Sequence, residues 1–193
     1  QSAGTGTASF AGLLDTNTAS GISLTGSAFT LSGGATTTTG GTFTLANSGA
    51  SSLSGTYTLD GAFSQTGAGG VTLNAAITTT ADAVSFNAPV TLGGNSSIST
   101  GAGVGDITFS SALDGGFNLT LTAGTGSIFF NGPVGGITRL GDLTIVSAAN
   151  VSGSSVRAAS ITQSAGTGTT TFTGLLDTNT ASGISLTGSA FTL

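Results

Sequence analysis

Large apolar residues alternate with small polar residues over many short stretches of the chain. Clear examples are Val71-Thr-Leu73, Val84-Ser-Phe86, Ile107-Thr-Phe109, Leu119-Thr-Leu121 and Leu143-Thr-Ile145. A period of two places the apolar side chains on one face of a β-strand and the threonines and serines on the other. No stretch repeats apolar residues with helical spacing, and glycine interrupts every candidate helix. The pattern therefore predicts short strands with one buried face.

The apolar positions also recur along the chain at a near-constant interval. One ladder, with steps of 20 to 23 residues, comprises Ile22, Phe43, Phe63, Val84, Ile107 and Ile128. A second motif places two large apolar residues four positions apart and begins at Phe86, Phe109, Phe130 and Phe172. The last step, 42 residues, is twice 21, and we expect Val151 to occupy the place at its midpoint.

A shorter step of 14 residues joins Leu45, Leu59 and Leu73, and 14 is two-thirds of 21. This ratio indicates coils with three edges of about seven residues, each holding a strand and a corner rich in Gly, Asn, Asp or Ser. One such coil cannot bury its own apolar face, whereas coils stacked as parallel strands ~4.8 Å apart can. The sequence predicts an all-β fold, a three-sided parallel β-solenoid (β-helix) with 20–23 residues per coil.

Two other architectures remain open from the pattern alone, a β-sandwich repeat and a cross-β stack. The 21-residue ladder favours the solenoid over both. One stretch fits the ladder poorly, because 33 residues separate Ile128 from Ile161. We therefore expect an enlarged coil or a shift of register within residues 135–160.

The two ends of the chain are nearly the same sequence. Residues 163–193 match residues 1–31 at 28 of 31 positions, and the exceptions are Ala8/Thr170, Ser9/Thr171 and Ala11/Thr173. Residues 1–162 therefore form one repeat unit, and residues 163–193 begin the next unit of a single continuous rod. A unit of this length predicts about 7–8 coils and ~38 Å of rod. We expect a longer tandem array, with units joined covalently or stacked end to end.

Composition narrows the class of protein. The chain has no Cys, His, Met, Trp, Lys or Glu, and its charged residues are 5 % of the total, against ~25 % in an average domain. A net charge of −5 and 37 % hydrophobic residues argue against disorder. Two arginines in an acidic chain argue against nucleic-acid binding. No apolar run reaches the ~18 residues of a helical membrane span, and a single Tyr without Trp lacks the aromatic girdles of a barrel.

The side chains that carry most catalysis are missing, so we predict that the protein is not an enzyme. Serine and threonine have no His, Lys or Cys beside them to act as a base. The seven aspartates lie far apart in turn-like contexts, and Arg139 and Asp142 are expected to pair on the surface. We predict no catalytic residues and no cofactor.

Calcium is the one metal for which the sequence offers oxygen ligands. The candidates are Asp15 and Asn17, with their copies Asp177 and Asn179. The glycine-rich nonapeptide of calcium-binding repeats and the EF-hand loop are both absent. An Asx-turn at a corner is the favoured interpretation of these residues.

Threonine pairs separated by one residue suggest a binding face. They occur at Thr5/Thr7, Thr16/Thr18, Thr42/Thr44, Thr56/Thr58 and Thr120/Thr122. A flat lattice of such pairs resembles the face of ice-binding β-helices. The pairs are not expected to share one phase of the 21-residue ladder, so an ice- or carbohydrate-binding β-helix is the alternative function.

Several longer runs have a family resemblance. They are residues 105–109 (GDITF), 117–126 (FNLTLTAGTG), 130–136 (FNGPVGG), 140–145 (LGDLTI) and 163–169 (QSAGTGT). These runs resemble giant bacterial β-strand-repeat surface proteins, which are similar to the shafts of filamentous-haemagglutinin-like adhesins. The resemblance implies secretion and an extracellular or cell-surface location on a bacterium. It also implies a structural or adhesive fibre whose partners are copies of itself, end to end or laterally, and surface or matrix polysaccharide.

Overall fold

The computed structural model describes residues 1–193 as strands, turns and corners without a helix. Every strand pair is parallel, and the strands form one nine-stranded sheet and one 14-stranded sheet. No helix is present that is long and apolar enough to cross a membrane. The chain winds through about nine stacked coils, each contributing one strand to the nine-stranded sheet. The predicted parallel β-solenoid is confirmed, and neither a sandwich nor a cross-β stack of separate chains is needed.

Each coil has three edges, as the 14-residue step predicts. The nine-stranded sheet is the first edge, and it consists of β3 (Ile22–Gly26), β6 (Phe43–Asn47), β8 (Phe63–Gln65), β10 (Val84–Phe86), β13 (Ile107–Phe109), β16 (Ile128–Phe130), β18 (Val151–Gly153), β20 (Thr169–Phe172) and β23 (Ala190–Thr192). The 14-stranded sheet is bent and supplies the other two edges, because three of its strands run through the corner between them.

The second edge contains β1 (Thr7–Phe10), β4 (Ala28–Leu31), the first halves of β7 (Ser51–Leu59) and β9 (Val71–Thr79), β11 (Val90–Leu92), β14 (Leu113–Asp114), the first half of β19 (Val156–Gln163) and β21 (Leu176–Thr178). The third edge contains β2 (Leu14–Thr16), β5 (Ala35–Thr37), the second halves of β7, β9 and β19, and also β12 (Ser96–Ser99), β15 (Leu119–Thr122), β17 (Leu140–Ser147) and β22 (Ile184–Leu186). Val134 continues the second edge as an isolated bridge between Leu113 and Val156.

The strand register reproduces the first apolar ladder residue for residue. Successive partners on the first edge are Ile22, Phe43, Phe63, Val84, Ile107 and Ile128. The second ladder is right for Phe86, Phe109 and Phe130 but wrong at its midpoint. Gly153, two residues after Val151, pairs with Phe130 and then with Phe172, while Val151 pairs with Ile128.

The poorly fitting stretch is a change of register and not an enlarged coil. Ile161 lies on the third edge, where its partner is Leu143, so its distance from Ile128 spans two different edges. The register slips between Leu121 and Thr122, whose partners are Ile145 and Ser147. Val146 is the extra residue of this bulge, and its side chain is 41 % exposed.

The core is one continuous column of 38 buried apolar residues. Four phenylalanine contacts run along it, with ring centroids 5.1 to 5.8 Å apart, from Phe43 through Phe63, Phe86 and Phe109 to Phe130. All are nearly parallel except Phe63–Phe86, which is tilted by 43° because the stack moves two positions along the strand there. Parallel stacking at the coil spacing thus fills the interior without gaps between coils.

Two of the corners require backbone conformations with positive φ. Glycine supplies most of them, while Thr39 and Ala81 are the two other residues with positive φ. Asparagine was expected at such positions, and it does not occupy them. Asn47 instead lies buried and donates from Nδ2 to the carbonyls of Gly49 and Gly69, both at 2.8 Å. Asparagine therefore ties a corner to the next coil through its amide.

The repeat unit does not contain a whole number of coils. Residues 7–10 lie on the second edge as β1, whereas their copy, residues 169–172, lies on the first edge as β20. The later strands are shifted in the same way, since β2 is on the third edge and its copy β21 on the second. From β1 to β20 the chain completes seven coils and two further edges, which lies within the predicted 7–8 coils.

Candidate functional site

Rows of hydroxyl groups cover the outside of the solenoid, one residue per coil. On the first edge the register aligns Ser23, Thr44, Ser64, Ser85, Thr108, Phe129, Ser152 and Thr171. These side chains are exposed or half-buried, and the residues on either side of them face the core. The outward row is thus the polar half of the alternation seen in the sequence, interrupted once by Phe129.

The third edge carries two such rows side by side. In four successive coils the outward pairs are Thr56/Thr58, Ala76/Thr78, Ser97/Ser99 and Thr120/Thr122, all in register. The expectation that the threonine pairs would not share one phase is wrong for these coils. It failed because serine and alanine fill two of the positions, which hides the row from a search for threonine alone.

A shallow polar groove of about 500 Å³ lies beside this double row. Its lining includes Thr56, Ser97 and Thr120 from the row and Asn74, Asn95 and Asn118 from the adjoining corner. Asn95 Oδ1 accepts a hydrogen bond from the backbone N of Asn118 at 3.0 Å, and Asn118 Oδ1 accepts one from the backbone N of Asp142 at 2.8 Å. These oxygens therefore hold successive coils together, and the hydroxyl groups line the open side of the groove.

The aspartates serve mainly as hydrogen-bond acceptors between coils. Asp106 Oδ1 accepts from the backbone N of Ser127 at 2.7 Å, and Asp114 Oδ1 from those of Ile137 and Thr138 at 2.8 and 3.1 Å. Hydrogen bonds from the Gly40 backbone and the Thr80 hydroxyl lower the pKa of the Asp60 carboxyl. In each case the carboxylate bonds to the coil above or below and not to a second carboxylate.

The only two cationic side chains converge on Asp177. Arg139 Nη2 lies 2.5 Å from Asp177 Oδ2, and Arg157 Nε lies 3.3 Å from the same oxygen. Arg139 Nη1 also donates to the backbone carbonyls of Asp177 and Ala158, at 2.6 and 3.0 Å. The hydrogen bond from Arg139 is the main reason that the pKa of Asp177 is lowered. The expected pair of Arg139 with Asp142 is wrong, since Asp142 Oδ1 accepts instead from the Ser160 hydroxyl at 2.7 Å.

The calcium candidates occupy equivalent places at the two ends of the rod. Asp177 is on β21 and is held by the two guanidinium groups, which would compete with a cation. Asp15 is on β2, and the backbone oxygen of Asn17 accepts a hydrogen bond from the Thr39 hydroxyl at 2.8 Å. Asn179 follows β21, and its backbone N donates to the Ala159 carbonyl at 3.3 Å. No group of three or more His, Cys, Asp or Glu side chains is close enough to hold a metal ion.

A few polar side chains lie inside the apolar column. Gln65 donates from Nε2 to Asn47 Oδ1 at 2.7 Å and accepts at Oε1 from the backbone N of Asn87 and Ala88, at 3.0 and 2.9 Å. Tyr57 OH has no hydrogen-bond partner, and burial raises the pKa of Tyr57 above its usual value. These residues could not be recognised from the sequence, because nothing in the period of two marks a polar residue as inward-facing.

Sequence and structure comparisons add no relative to this description. No family model, no curated protein and no solved structure matches the chain.

Proposed function

We propose that the chain is a segment of a stiff shaft in a secreted or cell-surface bacterial fibre, built by stacking tandem 162-residue units. The observation that carries this proposal is the passage from one unit into the next. Strands β20 and β21, which open the second unit, pair with β18 and β19 in the same parallel register as strands within the first unit. The ladder and the core therefore cross the unit boundary without a hinge.

The mechanical role follows from how the coils are joined. The chain has 112 backbone hydrogen bonds, and a bend would have to open those on one side of the rod. The stacked phenylalanine rings resist the same motion, because close-packed interiors do not compress. The surface offers hydroxyl groups and few charges, which suits lateral contact with other rods or with polysaccharide. The secreted location comes from the family resemblance and from a chain without cysteine.

Covalent arrays of two, three and four units test the proposal by electron microscopy. We expect straight rods that lengthen by about 37 Å per unit, because seven and two-thirds coils are spaced ~4.8 Å apart. An averaged power spectrum should show a reflection near ~4.8 Å along the rod. Bead-like particles, or rods with a bend at every unit boundary, would contradict the shaft.

The aligned double row on the third edge supports one alternative, binding of ice or carbohydrate. Thr56, Thr58 and Thr78 are exposed and in register, so their hydroxyl groups present a regular lattice. Dilute protein that shapes growing ice crystals, or that is retained on immobilised polysaccharide, would favour this function. Thr58→Val and Thr78→Val keep the side-chain shape, and in that case they should remove the effect, whereas a shaft would be indifferent to them.

A further inference from the structure

The same 31-residue sequence occurs in this structure in two environments. Residues 163–193 lie on the preceding coil, while residues 1–31 form the open end of the rod. Gly6 shows the contrast, since a Cβ added there would meet nothing within 4 Å. A Cβ at its copy, Gly168, would clash with Asn150 Oδ1 and lie 2.9 Å from the Ala149 carbonyl oxygen. The open end thus has a surface that its own copy buries.

The surface under the second copy is formed by β18, β19, Asn150 and Arg139, and we call it the seat. It holds residues 163–193 through specific polar contacts. Asn150 Oδ1 accepts from the backbone N of Thr169 at 2.9 Å. The two guanidinium groups hold Asp177.

Backbone bonds complete the hold of the seat. Val156 N donates to the Leu175 carbonyl at 2.9 Å, and Ile161 N donates to the Gly183 carbonyl at 3.0 Å. The groups that the seat contacts in these ways are all present in the first copy, as Thr7, Asp15, Leu13 and Gly21.

We propose that residues 1–31 of one chain bind the seat of a second chain by taking the place of its residues 163–193. The result is a head-to-tail junction made by exchange of the repeated segment, with Asp15 of one chain between Arg139 and Arg157 of the other. This inference deepens the proposed function, on which it rests, because it names the surfaces by which separate copies join end to end. Covalent arrays can still form rods if the exchange fails, so the two ideas can fail separately.

The balance of the exchange can be read from the three differing positions. Thr170 is 2 % exposed, and its hydroxyl donates to Gln163 Oε1 at 2.9 Å. Ala8 has no hydroxyl group, so the incoming segment lacks this bond. The resident segment is also favoured by its covalent attachment, which gives it a high effective concentration. Exchange of nearly identical contacts otherwise costs little, as in domain swapping, and we expect it at high protein concentration or after mild heating.

Cysteine pairing in the full chain provides a direct test, because the protein has no cysteine of its own. Ser152 is the register partner of Thr171, whose match in the first copy is Ser9. We would mix the Ser9→Cys chain with the Ser152→Cys chain, warm the mixture to the foot of its unfolding transition, and cool it under oxidising conditions. Adjacent strands bring the two sulfur atoms within disulfide reach only if exchange occurs. In one molecule these positions are more than six coils, or about 30 Å, apart.

We expect a disulfide-linked heterodimer whose yield depends on the seat. Adding Gly6→Ala to the Ser9→Cys chain should abolish the yield without moving the unfolding midpoint of the monomer. Adding Asp15→Asn should lower the yield about two- to fivefold, as the loss of a surface ion pair allows. Ala11→Thr is the matched control, since threonine already stands at position 173, and it should leave the yield unchanged.

Two results would overturn the proposal. One is the absence of the heterodimer under conditions in which the doubly substituted Ser152→Cys/Thr171→Cys chain forms its internal disulfide completely. The other is a heterodimer whose yield is the same with Gly6→Ala, which would show that the chains meet at a surface other than the seat.

Discussion

Gly34 and Gly40 offer a matched pair of substitutions that measures how closely the coils approach at a corner. Both have positive φ, 76° and 74°, so alanine at either position costs about 1–2 kcal/mol in backbone conformation. The surroundings differ. A Cβ at Gly40 would meet nothing within 4 Å, whereas one at Gly34 would overlap the Thr56 carbonyl oxygen and lie 2.7 Å from its carbonyl carbon.

The difference between the two alanine variants isolates the contact between coils. Relieving the overlap at Gly34 requires the backbone of the next coil to move, and overpacking of this kind costs about 1–3 kcal/mol. We therefore expect Gly40→Ala to lower the free energy of unfolding by about 1–2 kcal/mol and Gly34→Ala by about 2–5 kcal/mol. Urea unfolding followed by circular dichroism would measure both, since the chain has no Trp and a single Tyr. Equal midpoints with unchanged slopes would refute the close approach.

Three further substitutions test the core and the seat. Tyr57→Phe removes a buried hydroxyl that has no partner, so the free energy of unfolding should stay the same or rise by about 1 kcal/mol; a clear loss would show that the hydroxyl is hydrogen-bonded. Phe109→Ala removes a ring stacked between Phe86 and Phe130 and should cost about 3–5 kcal/mol by urea unfolding; a cost below 1 kcal/mol would contradict the stack. The lowered pKa of Asp177 means that its contribution to stability is present above its ordinary value of 3.8 and is lost as the pH falls through the folded pKa. Asp177→Asn should therefore reduce the acid sensitivity of the unfolding midpoint, and an unchanged profile would count against the pairing with arginine.

The fold was predictable because the coil repeats its physical problem. Each strand must bury alternate residues, and each coil must place them over the previous ones, so the ladder from Ile22 to Ile128 reports the register directly. The error at Val151 arose because the rule searches for large apolar residues. Gly153 occupies the place of a phenylalanine, and a Cβ there would lie 3.1 Å from the Phe172 ring, which covers it.

The candidate sites were less predictable, because they depend on which edge a residue occupies. Arg139 and Asp142 are close in sequence, yet Arg139 contacts a residue 38 positions away. The double row on the third edge was missed since Ala76 and Ser97 continue a row that begins at Thr56. Such contacts follow only from the exact number of residues in each coil, and that number varies between 19 and 23 on the first edge.

The incomplete final coil of each unit determines how a long array would look from the side. Each new unit begins one edge earlier than the last, so the same sequence faces a direction turned by a third of a revolution. The original orientation returns after three units, or 486 residues, 23 coils and about 110 Å of rod. Any patch unique to one place in the unit therefore winds around the shaft like steps on a spiral stair. A fibre built in this way has no dominant side, and neighbours approaching from any of three directions meet the same chemistry at different heights.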